Sequence, residues 1–427
     1  MSTDDTGPTE VAALVTDLAT ASAGTAADLR RLADLLVGRL GAVSSRLDAG
    51  LDLALLDAVE GLWGRGWVPR DVAELVRRRL GASAVGPALD AVAADARRRP
   101  RGWGEELAGL EGLDGARRCD DARPLPEQWR TERGLGAVEA VRTGLALVGT
   151  LARLPVLPRA AEPESSAAGV GAEGVDAKVL ARVRALLAKA ESTEFAEEAE
   201  ALSAKAQELM ARHALEQALV DAGTPRAASA ASRRIWLDAP YVSAKSSLVH
   251  QVAGANRCRA VSLEALDLVI VVGHATDLAT VELLVTSLLV QAGRAMLAER
   301  ARPGRAGGGD PSRTRSFRHA FLLAYATRIG ERLREADDEA RRQTEEAGQT
   351  EEAGQTGPGG RTADGALLPV LAARQEVVDR TVAELFPRLS TRRFSVGNAA
   401  GWRAGRAAAD AASLTPGRER LSRSSGN

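Results

Sequence analysis

The chain has 427 residues, enough for two or three domains with full hydrophobic cores. Its 56 Lys and Arg against 57 Asp and Glu leave a formal charge of −1 and a pI near 6.5. No whole-chain field therefore draws it to nucleic acid or anionic membrane, and any such contact must be a local patch. Two cysteines, Cys119 and Cys258, are too few for a disulfide framework or a cysteine zinc site, so a reducing cytoplasm is the expected compartment.

Aromatics make up only 3% of the chain, so its cores should be Leu, Val and Ala between helices. The opening, MSTDDTGPTE, is acidic and polar, unlike a secretory signal. No uninterrupted apolar run reaches the roughly 18 to 20 residues of a spanning helix, so a soluble chain with no membrane partner is expected.

Residues 10 to about 155 read as helical throughout. Leu29, Leu32, Leu35, Leu36 and Leu40 recur at helical spacing, as do Leu51, Leu55, Leu56 and Val59. The passage LWGRGWVPRDVAELVRRRLG places Pro69 in a first helical turn, Asp71 at the positive helix end and Gly81 as the C-cap. Two helices joined by Gly-Trp-Val-Pro have the outline of a helix-turn-helix reader. The plainer reading is a bundle corner. It is favoured because Arg77, Arg78 and Arg79 sit at the C-terminal end, whereas recognition helices present N-terminal residues to bases.

Residues 156 to 175 have linker composition, rich in Pro, Gly, Ser and Ala. Next comes DAKVLARVRALLAKAESTEFAEEAEALSAKAQELMARHAL. It holds three of the four lysines in a chain that otherwise uses Arg for 52 of its 56 basic residues. Val179, Val183, Leu186 and Ala190 make one apolar helix face, and Ala199, Leu202, Ala206, Leu209 and Met210 another. Glu-Ser-Thr-Glu-Phe is the turn between them. The product is an antiparallel helical hairpin over 176–222. Two such short helices are marginal alone and should dock on a neighbour.

From 232 to 415 the pattern reads as α+β. Ile235–Leu237 is a short strand, and Ser243 caps a helix running to Val252. Cys258–Leu263 and Leu268–Val272 form a hairpin around Glu-Ala-Leu-Asp. Helices follow from about Thr276 to Arg300 and from Ser316 to about Arg342, separated by the break at 302–315. A stretch from 344 to 365 carries TEEAGQ twice in tandem and reads as a solvated loop. Leu367–Leu371 is expected as a third strand, then helices over Gln375–Phe386 and Asn398–Ser413. Residues 416–427 read as a disordered tail. The fold class is mainly α with an α+β C-terminal domain: a helical N-terminal region (1–155), a helical hairpin, and a small antiparallel sheet packed with helices.

The segments KVLARVRALLAKAEST and EEAEALSAKAQELMARHAL closely resemble a small family, domain of unknown function 2786, found in actinobacterial and phage proteins. LVHQVAGANRCRAV, DLVIVVGHATDLATVELLVTSLL, RSFRHAFLLAYATRIGERL and AAGWRAGRAAADAASL look, more loosely, like its usual companion domain. The resemblance implies no activity and no catalytic residues, and it does not reach the first 155 residues.

Lys178, Arg182 and Lys189 fall on one shoulder of the first hairpin helix, a stripe along which phosphate could sit; Lys205 lies on the second. Ion pairs of Lys189 with Glu198, and of Lys205 with Glu198 or Glu208, are the plainer reading, worth about 0.3–0.5 kcal/mol each. His213 falls in an apolar stripe and reads as packed or capping. His250, His274 and His319 are scattered, with no HExxH or CxxC, so no metal and no cofactor are expected. VVGHATDL has the outline of a phosphate-binding turn. It has one glycine and no following Lys, so Gly273 reads as turn geometry and Asp277 as a helix-dipole partner. No nucleophile elbow or P-loop occurs.

Arg302, Arg305, Arg313, Arg315 and Arg318 cluster at the second break. Arg388, Arg392, Arg393, Arg403 and Arg406 cluster near the C-terminus with Phe394 and Trp402 interleaved, a composition suited to phosphate contact and base stacking. Gly397, Gly401 and Gly405, four apart, give the last helix a smooth face for close packing. The expectation is a non-enzymatic binding or adaptor protein. Its nucleic-acid or protein contacts would be Lys178, Arg182, Lys189, Lys205, Arg313, Arg315, Arg318, Arg392, Arg393 and Trp402. A cryptic enzyme acting on nucleic acid, with Asp or Glu converging on a basic group, is one alternative. A protein–protein scaffold is the other.

Overall fold

A computed structural model of the chain describes residues 7–22, 24–41, 44–99, 120, 122–158, 229–301, 311–352, 364–390, 397–412 and 414. It divides into two compact units, Met1–Pro158 and Arg159–Asn427. Among the described residues it is mostly helical, with one three-stranded antiparallel sheet packed against helices.

The first unit contains α1 (Pro8–Ala21), α2 (Ala26–Leu40), α3 (Ser45–Gly64), α4 (Pro69–Leu80), α5 (Val85–Arg98), α6 (Leu125–Glu132) and α7 (Ala137–Ala152). Thr25 and Ser44 cap α2 and α3 by accepting from the amides of Asp28 and Leu47. Pro69 starts α4, and Gly81, at φ 90, ends it. The Leu51, Leu55, Leu56 and Val59 face is buried. On α2, Leu29 and Leu36 are buried, whereas Leu35 is 46% exposed.

Among the described residues, four of this unit's five buried aspartates tie its helices together. Asp48 takes both arms of the Arg130 guanidinium, at 2.7 and 2.5 Å. Asp90 takes Arg133 at 2.8 Å twice and the Trp129 indole N–H at 3.0 Å. Asp95 accepts from Trp63 at 2.7 Å, and Asp52 from the Leu125 amide at 3.0 Å. With few aromatics, the unit buries Trp63, Trp67 and Trp129 and gives each indole N–H an acceptor, Pro155 O for Trp67. The α3–α4 corner, with Trp67 fully buried and Arg77 and Arg78 both pairing Glu74, is built as a bundle corner. Hydrogen bonding from Arg77 holds the Glu74 carboxyl below its usual range.

The second unit contains β1 (Ala231–Trp236), α8 (Val242–Ala255), β2 (Arg259–Leu263), β3 (Leu268–Gly273), α9 (Ala275–Ala301), α10 (Pro311–Glu352), α11 (Asp364–Leu385) and α12 (Ala399–Asp410). The order is β1-β3-β2, and all six residues of β3 are buried. β3 pairs antiparallel with both neighbours, Trp236 and Leu263 meeting Leu268 from either side. The β2–β3 hairpin closes through Asp267 at φ 55, a left-handed position that Asp tolerates.

Several expectations need correction. Leu367–Leu371 is not a strand but part of α11, with Pro369 inside it; the third strand is β1. The tandem TEEAGQ stretch is not all loop, because α10 continues to Glu352 on good helix formers. The α8 N-cap is Tyr241, at φ 69, rather than Ser243. α9 is long and apolar enough, by length and composition alone, to cross a membrane, although Asp277, Glu282 and Arg294 interrupt its apolar run.

The glycine pattern of the last helix is realised at Gly401 and Gly405, while Gly397 lies before the helix and is not closely packed. A Cβ on Gly401 would strike the Phe317 carbonyl, and one on Gly405 the Phe321 carbonyl and the Ala324 Cβ. Gly405→Val should therefore destabilise the protein by about 2–3 kcal/mol in urea unfolding, the size of a forced overpacking. In the first unit, Asp90→Ala strands the buried Trp129 indole N–H and frees Arg133, and it should lower stability by roughly 1–3 kcal/mol in the same measurement.

Candidate functional site

Three helices of the second unit run parallel and bring their N-termini to one end. Ser243 on α8 lies 3.5 Å from His319 on α10, while Gln251, two turns on, takes Arg334 at 3.2 Å. Along α12, Gly401 meets Phe317 and Gly405 meets Phe321; further on, Arg328 binds Asp410 at 2.6 Å. Arg332 donates to the Ala409 and Ala412 carbonyls and so closes the C-terminal end of α12. Each N-terminus carries roughly half a positive charge, but the ends are staggered: α10 begins at Pro311, ahead of Phe317 and His319, which meet the first turns of α12 and α8.

The side chains add to this potential. None of α8, α10 and α12 has an acid in its first turn, and neither does α5, whereas α1, α2, α3, α4, α6, α7 and α9 each do. Residues 242–255, 311–330 and 399–409 together contain no Asp or Glu at all, against Lys245, Arg313, Arg315, Arg318, Arg328, Arg403 and Arg406. At the chain's average acid content those residues would carry about six carboxylates. Placing cations at helix N-termini opposes the dipole, so stability does not explain the pattern.

The cations divide into two sets. Arg328 and Arg406 share Glu331, and Arg328 also takes Glu335 and Asp410, so they are neutralised further down the bundle. Lys245 donates to the Asp238 carbonyl. Arg315 and Arg403 are exposed and Arg318 half-buried; none has an ion-pair partner among the described residues. Trp402, on α12, is half-buried and packs on the core of the unit.

Of the residues singled out from sequence, the structure therefore brings Arg315, Arg318 and Trp402 to one end. The Arg313 backbone lies in the first turn of α10, and its side chain is outside the described residues. Lys178, Arg182, Lys189, Lys205, Arg392, Arg393 and His213 also lie outside them. Lys245, Ser243 and His319 were not singled out as contacts. The acid-free N-terminal halves were the signal that could have found them, but only the parallel packing shows that they share an end.

Two polar clusters elsewhere in the unit are accounted for internally. At the start of α9, buried Asp277 accepts from Arg257 at 2.9 Å and lies 3.9 Å from Arg374, and Asp337 takes the other arm of Arg257 at 3.3 Å. Arg257 has φ 56, and Asp277 and Asp337 raise its pKa against the burial that lowers it. The two carboxylates that converge here are thus engaged by the arginine beside them. On the other side of the sheet's hairpin, Ser262 Oγ lies 2.9 Å from His250 Nε2 and 2.5 Å from Ser246 Oγ, joining α8 to β2. Desolvation pushes the His250 pKa down. Among the described residues no group of three or more His, Cys, Asp or Glu is placed to hold a metal ion.

Cys258 is buried against Gly273, and burial followed by the nearby Asp277 charge raises its thiol pKa well above the ordinary value. In a Cys119→Ser variant the remaining thiol should resist a disulfide-exchange reagent at pH 8 and react fully only in denaturant, read as absorbance released over time.

The model of the family described as protein of unknown function (DUF2786) matches residues 178–217, which are 40 of the 427. The matched residues are the lysine-bearing segment. The match does not extend into the second unit's sheet and helices. No curated protein and no solved structure matches the chain.

Proposed function

We propose that this is a nucleic-acid-binding protein that takes backbone phosphates at the shared N-terminal end of α8, α10 and α12. The observation that carries the proposal is the convergence of three helix N-termini with Arg315, Arg318 and Arg403, and with no carboxylate in any first turn. Backbone amides at such ends are ready phosphate donors, and guanidinium groups add bidentate contacts. A polyanion suits this end better than a small metabolite because Arg315 and Arg403 are exposed and lie on two different helices. The near-neutral total charge is consistent with contact confined to one patch. Base readout is not part of the proposal: phosphate contacts of this kind position a strand without reading sequence. The chain would work in the cytoplasm as a non-enzymatic binding or adaptor protein, and the lysine-bearing segment would contribute further contacts through Lys178, Arg182, Lys189 and Lys205.

The test is fluorescence anisotropy of the full chain with labelled single- and double-stranded DNA and RNA over a salt series. Log affinity should fall linearly with log salt. An Arg315→Glu/Arg318→Glu/Arg403→Glu variant should bind at least 10-fold more weakly, its slope shallower by about 0.7 to 0.9 for each phosphate it no longer neutralises. Unchanged affinity in the variant would sink the assignment of this end. Absence of binding by the parent chain at low salt would sink the nucleic-acid reading altogether.

A further inference from the structure

We propose that His250, Ser262 and Ser246 form a proton-operated latch between α8 and β2, closed while the imidazole is neutral and opened when it becomes imidazolium. It holds whether or not the chain binds nucleic acid. The three side chains make one chain of hydrogen bonds: Ser246 Oγ lies 2.5 Å from Ser262 Oγ, and Ser262 Oγ 2.9 Å from His250 Nε2. Ser246 and His250 stand four residues apart on one side of α8, and Ser262 is on the edge strand β2.

The direction of that chain follows from its buried end. Ser246 is 7% exposed, and among the described residues Ser262 Oγ is the partner of its hydroxyl. A hydroxyl shielded from water needs an acceptor, so Ser246 donates to Ser262. Having accepted there, Ser262 donates onward, and His250 Nε2 is the acceptor in reach. The neutral ring must then carry its proton on Nδ1, which satisfies every group in the chain. An imidazolium has a proton on both nitrogens and accepts nothing. Nε2 would then donate to Ser262 and Ser262 to Ser246, leaving the Ser246 O–H without an acceptor between α8 and β2.

His250 is exposed enough for solvent protons to reach it, yet the packing around the ring disfavours its charged form and lowers its pKa. The neighbouring charges are engaged elsewhere. On α8, Lys245 donates to the Asp238 carbonyl; on α10, Arg334 bonds Gln251 and His319 meets Ser243. On β2, Arg259 pairs with Asp379 of α11, and Glu264 follows in the turn. On α9, Asp277 is taken by Arg257 and Glu282 lies beside Arg233 of β1, while β3 has no charged residue. Because the folded ring binds a proton less tightly than the unfolded one, the latch supports the fold above about pH 6.5. That support is lost as pH falls below this value.

Two measurements on the full chain test this. With nitrogen-15-labelled histidine at pH 7.5, long-range proton–nitrogen spectra should show the His250 proton on Nδ1, the signal being assigned by its loss in His250→Gln. A proton on Nε2 overturns the proposal. Amide exchange in α8 and β2, corrected for intrinsic rate, should be at least ~5-fold faster at pH 5.0 than at pH 7.5, the low end for a stranded buried donor, while α3 keeps its protection. The step should vanish in His250→Gln, an exposed position whose replacement leaves the core in place, and most of it should vanish in Ser246→Ala, which has no hydroxyl to strand. No step in the parent, or a full step in either variant, overturns the latch.

Discussion

The second unit is organised by a contact between backbones. Where α12 crosses α10, hydrogen atoms on Gly401 and Gly405 replace side chains, and the helix rests against the carbonyls of Phe317 and Phe321. That approach fixes the direction of α12, because the same helix must also reach Asp410 to Arg328 and its last carbonyls to Arg332. A parallel alignment of helix dipoles is electrostatically unfavourable on its own. Here it is held by close packing and by Arg332 on the last carbonyls of α12, and the first turns at the other end hold no acid.

Charge is handled differently in the two units. The first unit takes Asp48, Asp52, Asp90 and Asp95 into its interior and meets each with an arginine or with N–H donors of Trp and the backbone. Such pairs contribute little net stability after desolvation, but leaving one unmade is costly, so they restrict how α6 can seat against α3 and α5. The second unit does the same at the start of α9, where Arg257, Asp277, Asp337 and Arg374 join the sheet hairpin to α10 and α11. Arg315, Arg318 and Arg403 have no such partners among the described residues. The contrast separates arginines paired within the fold from those without an ion-pair partner among the described residues.

Local signals in the sequence carried much of this. The β2–β3 hairpin followed from β-rich runs around four turn residues, α4 from Pro69 and Gly81, and the α10–α12 packing from glycines four apart. Leu367–Leu371 misled because a short apolar run has no period that distinguishes strand from buried helix, and the proline within it argued against helix. The repeat after 344 misled because its glycines suggested a loop, while Glu, Ala and Gln sustained the helix as far as Glu352. Of the candidate site, Arg315 and Arg318 were visible as a cluster. Their company with α8 and with the start of α12 was not, because relative helix direction is a property of packing and leaves no local trace in the residues.

The shared direction of α8, α10 and α12 aligns three sets of peptide dipoles, while α9 begins at the opposite end, where Asp277 in its first turn meets Arg257 just past the end of α8. Helices laid in both directions let one unit set positive N-terminal ends at one side without the whole body carrying their sum, so any electrostatic effect of that side is short-ranged and fades with added salt.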